Sequence, residues 1–421
     1  MLKGFKTRLN FTKEQEILAA KHAGIARSAY NWGVEVCRKS YEETKKVPSG
    51  FDLGKKHVKE VKSVNSYFYE VSNKSAKKSL LDVDVAYKNF HNLQKKSNYS
   101  NFKEIKKNGV VIKKELKGLP QFKKKGVNDS FYLEGSTDIN YGIKIENNKI
   151  KLPKFGWVKL YEKNIQLTSP IKNVTISRKS NQWFISFKQE FEPIHIIKTE
   201  GIVGVDLGIK TLATCSNGKI FPSIKPFKKY KRKLKILQRR VSKKFLKGAS
   251  KQSNNYKKAQ LKVSKLHLKI SNIRQDYTHK ITSHLTKNHS EIVIEDLNIK
   301  GMSKNHKLAS AILDGGWYEF RRQLSYKSEW YGSKLTVVNR FYPSSKTCSN
   351  CNEIKKDLKL KDRVFCCSKC GHKIDRDLNA SMNLKKMAVG YIASTCGETQ
   401  TNGITPLVSM KQEMNVEKTF V

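Results

Sequence analysis

Two Cys-x-x-Cys pairs constrain this chain more than any other feature. Cys348 and Cys351 form the first, Cys367 and Cys370 the second, and 15 residues separate the pairs. Each pair turns the backbone tightly and presents two thiolates. Four thiolates at this spacing are the donor set of a tetrahedral zinc ribbon. Gly371 supplies a permissive residue behind the second turn. The alternatives are four buried thiols or a redox pair, and the duplicated knuckle argues against both. Cys366 breaks the spacing and is read as a spare thiol, while Cys37, Cys215 and Cys396 are scattered. Cysteines gathered in this way, with no secretory signal at the start of the chain, point to a reducing cytosol rather than a disulfide framework.

Charge narrows the partners. The 421 residues carry 84 Lys+Arg against 36 Asp+Glu, a formal net charge of +48. Such an excess repels itself and calls for a polyanion, and solubility alone is better served by acidic residues. No apolar run reaches the ~18 residues of a membrane span, so nucleic acid is the expected partner and no membrane is expected. Hydrophobic residues at 38% and aromatics at 10% suffice for packed cores, and the length suits two to four domains.

The N-terminal half reads as mixed. Residues 2–9 form a short basic strand, and Thr12 with Gln15 makes a capping box that opens a helix. Leu18, Ile25, Ala29, Trp32 and Val36 recur on one face of that helix, and Ala76, Leu80, Val83, Tyr87 and Phe90 mark a second. Residues 95–125 are Lys-rich and poorly periodic. From 127 to 191 the period becomes two, with hairpins turning at Asn147-Asn148 and Ser180-Asn181, which predicts a small β-barrel or sheet. Residues 193–200 read as a linker.

The C-terminal half alternates strand and helix. Buried strands are expected at 202–205 and 291–297, a meander at 211–221, a further strand at 335–339, and helices at 227–245, 266–281, 317–330 and 377–391. The tail after Cys396 has no strong periodicity. No internal repeat is found.

Three acids stand where metal chemistry needs them. Asp206 ends the apolar run of GIVGVDLGIKTLAT, Glu295 does so in EIVIEDLNIKGM, and Asp377 opens a helix in DRDLNASMNL. An acid at the end of an apolar strand is costly unless a cation neutralises it. Three carboxylates converging at one end of a sheet suit two Mg²⁺ ions, or Mn²⁺, clamping the attacking and leaving oxygens of a phosphodiester. An N-cap or a surface ion pair would explain any one of the three alone; the strand, strand and helix contexts together favour an RNase H-like nuclease. Asp296 and Asp375 compete. Alternation turns Asp296 to the opposite strand face from Glu295, and Asp375 precedes the helix, where it can cap.

The helix at 227–245 is a basic rod that includes Arg232, Arg239 and Arg240, suited to phosphate contact. Arg321 and Arg322 in GWYEFRRQL, and Lys74, Lys77 and Lys78 near the N-terminus, are further candidates for nucleic-acid binding; Trp317 reads as core. No base-specific reader can be derived.

The motifs GVDLGIKTLAT, IVIEDLNIKGM, DGGWYEFRRQLSYK, FYPSSKTCSNC and CGHKIDRDLNASMNL together resemble the TnpB (OrfB) family of bacterial insertion sequences. They cover about residues 201–391; the opening strand and helix, AYKNF and LPQFKKK match more loosely. The resemblance implies a multidomain α/β protein related to type V CRISPR nucleases. Its parts would be a RuvC-like (RNase H-fold) nuclease domain at 196–343 and 372–395 with a zinc-ribbon insertion at 344–371, an N-terminal β-barrel wedge domain at 1–11 and 109–195, a helical recognition lobe at 12–108, and a tail at 396–421. It implies an RNA-guided DNA endonuclease with a guide RNA from the transposon end and a double-stranded DNA target beside a short adjacent motif, base pairing reading the sequence. Asp206, Glu295 and Asp377 would be the catalytic, magnesium-binding acids, Cys348, Cys351, Cys367 and Cys370 the zinc ligands, and the helix with Lys74, Lys77 and Lys78 would lie near the adjacent-motif duplex. The setting would be cytoplasmic and nucleoid-associated. Asn352, where the first knuckle often has Gly, and the extra thiol of Cys366 depart from the pattern. A cleavage-inactive RNA-guided regulator would lack one of the three acids. A strand-joining transposase, or an accessory to one, would need an end-binding module, and neither that nor a tyrosine nucleophile is found.

Overall fold

The structure, a computed structural model, describes residues 1–97, 102–107, 110–115, 119–127, 129–135, 142–163, 165, 167, 169–194, 196–359 and 361–394, with backbone alone for 94, 96, 97, 102–107, 110–115 and 389–394. Cys396 and the tail therefore lie outside the described residues, as does part of the Lys-rich stretch. Two compact units divide the chain, Met1–Phe191 and Glu192–Val421.

The first unit opens with β1 (Leu2–Asn10) and α1 (Lys13–Thr44). The Thr12 hydroxyl accepts from the Gln15 amide while the Gln15 side chain accepts from the Thr12 amide, the expected capping box. α2 (Gly50–His57), a π-helical turn (Val58–Lys62), a 3₁₀ turn (Ser66–Glu70) and α3 (Asn73–Ser97) follow. β2 (Phe102–Lys107) pairs with β3 (Val110–Glu115). Then come β4 (Ser130–Glu134), β5 (Lys144–Glu146), β6 (Lys149–Leu152), β7 (Gly156–Leu160), β8 (Asn173–Lys179) and β9 (Gln182–Glu190). One antiparallel sheet runs β4-β8-β9-β1-β7-β6-β5. Both expected hairpins form, and Asn147, Asn148, Ser180 and Asn181 all have positive φ, as two-residue hairpin turns demand. Ile143, just ahead of β5 at one edge, bridges Ile171, just ahead of β8 near the other edge, so the two ends of the sheet approach each other.

α1 serves two cores. Ala19, Ala23 and Ala26 lie on the sheet with Phe131, Trp183 and Ile185, whereas Ala29, Tyr30, Val34 and Cys37 meet Leu53 of α2 and Leu80, Val83, Tyr87 and Phe90 of α3. Of the face expected from Leu18, Ile25, Ala29, Trp32 and Val36, Ile25 and Ala29 are buried and Leu18, Trp32 and Val36 half-buried. Small alanines give the closest approach to the sheet and carry little hydrophobic signal.

The second unit holds β10 (Glu200–Leu207), β11 (Thr211–Cys215), β12 (Ile220–Pro222), α4 (Pro226–Ser242), α5 (Asn254–Asn288), β13 (His289–Glu295), α6 (Ile299–Met302), α7 (Ala309–Gly315), α8 (Trp317–Tyr331), β14 (Lys334–Val338), β15 (Val364–Cys366), β16 (Lys373–Asp375) and α9 (Arg376–Ser394). The sheet order is β12-β11-β10-β13-β14; β10 pairs antiparallel with β11 and parallel with β13, which pairs parallel with β14. α4 stops at Ser242, shorter than expected, and Lys243–Phe245 continue as turns.

Alternation divides this sheet's faces. Val203, Val205, Ile292 and Ile294 pack with Ile281 and Leu285 of α5 and Phe320 and Leu324 of α8. Ile202 and Val293 pack with Leu384, Met387 and Ala388 of α9. Gly204 is what lets α9 lie so close: a Cβ there would stand 1.9 Å from the Ser381 carbonyl oxygen and 2.5 Å from the Lys385 amide nitrogen. No helix among the described residues is long and apolar enough to cross a membrane.

Candidate active site and cysteine centre

The β10–β13 register pairs Val205 with Ile294, so Asp206 and Glu295 come next on adjacent parallel strands. Asp206 shares a face with Ile202 and Gly204, and Glu295 shares it with Val293, so both turn toward the α9 side. Gly204 seats α9 beneath them, and Asp377 lies in that helix's first turn. Three acids distant in sequence thus arrive at one end of one sheet face.

Their electrostatics are those of crowded, partly desolvated carboxyls. Burial, then the charges of Asp377 and Glu295, push Asp206 up to about 7. Burial, then Asp296, push Glu295 up to about 7 as well. Among the described residues neither carboxylate makes a hydrogen bond or an ion pair; only the field of Arg376 relieves Asp206. Arg376 Nε stands 3.7 Å from Asp377 Oδ1. Two half-buried carboxylates without partners form a donor set that fits a hard divalent cation. Their oxygens and those of Asp377 do not all come within 4.8 Å of one another, a closeness that only the four cysteines reach among the described residues.

The two competing acids have other work. Asp296 faces α8 and is held by Arg321 and Arg340. Asp375 caps α9, its Oδ1 accepting from the amides of Asp377 at 2.9 Å and Leu378 at 3.1 Å. Arg321 is therefore engaged internally, as is Arg322, whose guanidinium forks onto Glu319 with both contacts at 2.7 Å. Lys74 pairs with Glu134 and Lys78 with Asp82. Exposed Lys77, Arg232, Arg239 and Arg240 make no ion pair among the described residues.

The four cysteines do meet. Cys348 Sγ lies 3.7 Å from Cys370 Sγ and Cys351 Sγ 3.5 Å from Cys367 Sγ, with no disulfide. A tetrahedron with ~2.3 Å metal–sulfur bonds has edges of roughly 3.8 Å, so the sulfurs fit a metal of zinc's size. The His372 amide holds the Cys370 thiol down at about 6, favouring the thiolate a metal needs. Cys366 is exposed and stands apart from this group.

Several residues with structural bearing on the site escaped the sequence reading. Asn379 Oδ1 accepts from the Ser349 amide at 2.9 Å and its Nδ2 donates to the Thr347 carbonyl at 2.7 Å. Asn383 Nδ2 donates to the carbonyls of Ser344 and Thr347. Both asparagines are fully buried on α9, so the helix that carries Asp377 also clamps the cysteine loop. Two asparagines four apart among apolar residues were the available signal, since asparagine is poor in a helix interior. Asp314 accepts from the amides of Phe227 and Lys228 and pairs with Arg274, anchoring the start of basic α4. Lys327, buried between α5 and α8, donates to the His279 carbonyl, Thr282 Oγ1 and Ser283 Oγ.

A family profile described as "Probable transposase" matches residues 192–306, and one described as "Cas12f1-like, TNB domain" matches 317–384. A third, described as "Helix-turn-helix domain", matches 1–46, which here is a strand and one unbroken 32-residue helix. A protein of Escherichia coli (strain K12) named "Putative RNA-guided DNA endonuclease InsQ" is 33% identical, with 98% of each chain covered. A Streptomyces pristinaespiralis protein of the same naming is 31% identical over 96% of this chain and 92% of its own. In fold, the chain resembles the protein of a Cas12f1–sgRNA–target DNA complex, with a TM-score of 0.54 at 14% identity, covering 91% of this chain and 98% of that one. Full-length identity at this level, with the profile matches, leaves one conclusion: the chain belongs to the TnpB (OrfB) family.

Proposed function

We propose that this chain is the RNA-guided DNA endonuclease of a transposable element, and that Asp206, Glu295 and Asp377 are its catalytic acids. The observation that carries the catalytic assignment is the register-matched pair Asp206 and Glu295, turned to one face without cationic partners, over a helix that brings Asp377 beneath them. The mixed sheet, with three antiparallel strands followed by two parallel ones, supports a RuvC-like, RNase H-type domain at 196–343 and 372–395. The cysteine geometry supports a structural zinc ribbon at 344–371. The curling seven-stranded sheet supports a β-barrel wedge at 1–11 and 109–195, and the α1–α3 core a helical recognition lobe at 12–108.

Mg²⁺ or Mn²⁺ held by the three acids would supply an activated water and charge stabilisation at the leaving oxygen. Raised by burial, Asp206 and Glu295 hold their protons until a cation or higher pH removes them, so the three acids do not all bear charge at once without a metal. Arg376 offsets part of the remaining charge beside Asp377. A guide RNA from the transposon end and duplex DNA with a short adjacent motif would be the partners. Arg232, Arg239, Arg240 and Lys77 are the more accessible phosphate contacts; Lys74, Lys78, Arg321 and Arg322 would have to exchange an internal partner for phosphate. All three acids are present, which favours cutting over a purely regulatory role.

The test is purified protein with its co-purifying RNA, Mg²⁺ and matching duplex DNA. Wild type cuts, and Asp206→Ala binds the DNA but does not cut. Normal cutting by Asp206→Ala would overturn the assignment.

A further inference from the structure

The α4–α5 hairpin carries a feature that phosphate contact along α4 does not explain. Not one Asp or Glu occurs between Asp206 and Asp276. Within this acid-free stretch, a groove of about 370 Å³ opens between the two helices, lined by Arg240 and Lys244 from one side and Lys258 and Lys262 from the other, with Leu237 and Ala259 at its apolar part. That is at the small end of ligand sites, ~300–1,000 Å³. None of the four cations has an ion-pair partner among the described residues. Beside the groove the chain reads Lys243-Lys244-Phe245-Leu246-Lys247, and Phe245 and Leu246 are 53% and 55% exposed. A scattered exposed apolar residue needs no explanation, but this tip is held in shape. Gln252 bonds back to both the amide of Leu246, at 3.0 Å, and its carbonyl, at 2.8 Å. The Phe245 ring stands 5.8 Å from the Tyr256 ring, which joins the tip to the start of α5.

We propose that this hairpin tip grips an unpaired nucleotide, its backbone phosphate in the four-cation groove and its base on the exposed face of Phe245. A duplex keeps its bases stacked and offers the tip only phosphate, whereas an unpaired base presents a π-face to an aromatic beside a basic groove. The shared chemistry is a base with its phosphate, from an RNA loop or a displaced DNA strand. The inference rests on the nucleic-acid-binding part of the function proposed above and not on catalysis.

Binding of the full chain, freed of nucleic acid and kept without divalent metal, is measured for a short oligouridylate, an oligothymidylate of equal length and a blunt duplex of that length. Phe245→Ala weakens both single strands about tenfold and leaves the duplex nearly unchanged, and Phe245→Tyr restores them. Lys258→Glu with Lys262→Glu weakens all three probes and lowers the slope of log affinity against log salt by at least about one. Tighter binding of oligouridylate identifies an RNA source, and tighter binding of oligothymidylate a DNA strand. Equal loss of duplex binding in Phe245→Ala, no loss for any probe, or an unchanged salt slope in the double variant overturns the proposal. So does a Phe245-dependent shift from dimer to monomer, which would assign the tip to a second copy of the chain. Failure of the wild type to cut DNA leaves these binding results standing.

Discussion

The carboxylate end of the sheet and the cysteine ribbon are both proposed to hold metal, yet the fold prepares them differently. The sulfurs meet within 4.8 Å of one another, and the acids do not. The cysteines come from two tight knuckles 15 residues apart, and without a metal they need not all be charged, Cys351 being pushed up to about 12 while Cys370 is held down at about 6. The acids come from β10, β13 and α9, and as anions they repel, so two of them answer with raised proton affinity. A closed four-sulfur set suits a metal that supports structure, and a looser oxygen set leaves places for water and phosphate.

The sharpest way to break this comparison is at Gly204. A methyl group there strikes the α9 backbone, so Gly204→Ala is expected to cost at least about 3 kcal/mol and to abolish cutting. A melting curve and a cleavage assay on one preparation check this. A strong zinc chelator is expected to expose the 344–371 region to protease before any other part unfolds, whereas leaving out Mg²⁺ and Mn²⁺ with no chelator should stop cutting while that region stays protected. Equal protease resistance after zinc removal would sink the ribbon.

Asp206→Asn separates stability from function. Because the folded carboxyl binds its proton more tightly than the unfolded one, metal-free stability falls as pH rises from about 4 through about 7. The substitution is therefore expected to stabilise the metal-free protein by up to about 4 kcal/mol at pH 8 and hardly at all at pH 4 while stopping cutting, as paired melts at the two pH values would reveal. The smallest effect belongs to Asn379→Ala. Leaving the Ser349 amide unpaired, while the Thr347 carbonyl keeps its bond from Asn383, should cost about 1–2 kcal/mol, read as earlier proteolysis of the ribbon.

What could be read from the sequence was what is local or periodic. The β5–β6 and β8–β9 hairpins follow from alternation and turn residues, and alternation alone turned Asp296 away from Glu295 to meet Arg321. The acids stood out because charge at the end of an apolar run needs an explanation. The seating of α9 on Gly204, the Asn379 and Asn383 clamp, the Asp314 anchor and the approach of Ile143 to Ile171 depend on partners remote in the chain, so no window of sequence displays them. α2 escaped because eight residues give only two turns of signal and Leu53 is its only large apolar side chain to be fully buried.

One helix joins the two centres. Asp377 stands in the first turn of α9, and Asn379 and Asn383 follow it along the same rod, gripping the loop that bears Cys348. If zinc sits among the four sulfurs as proposed, its loss would therefore be felt at the proposed cutting edge as well as in the ribbon. A cell short of zinc, or under oxidants that attack thiolates, would hold a protein whose edge is blunted through its handle.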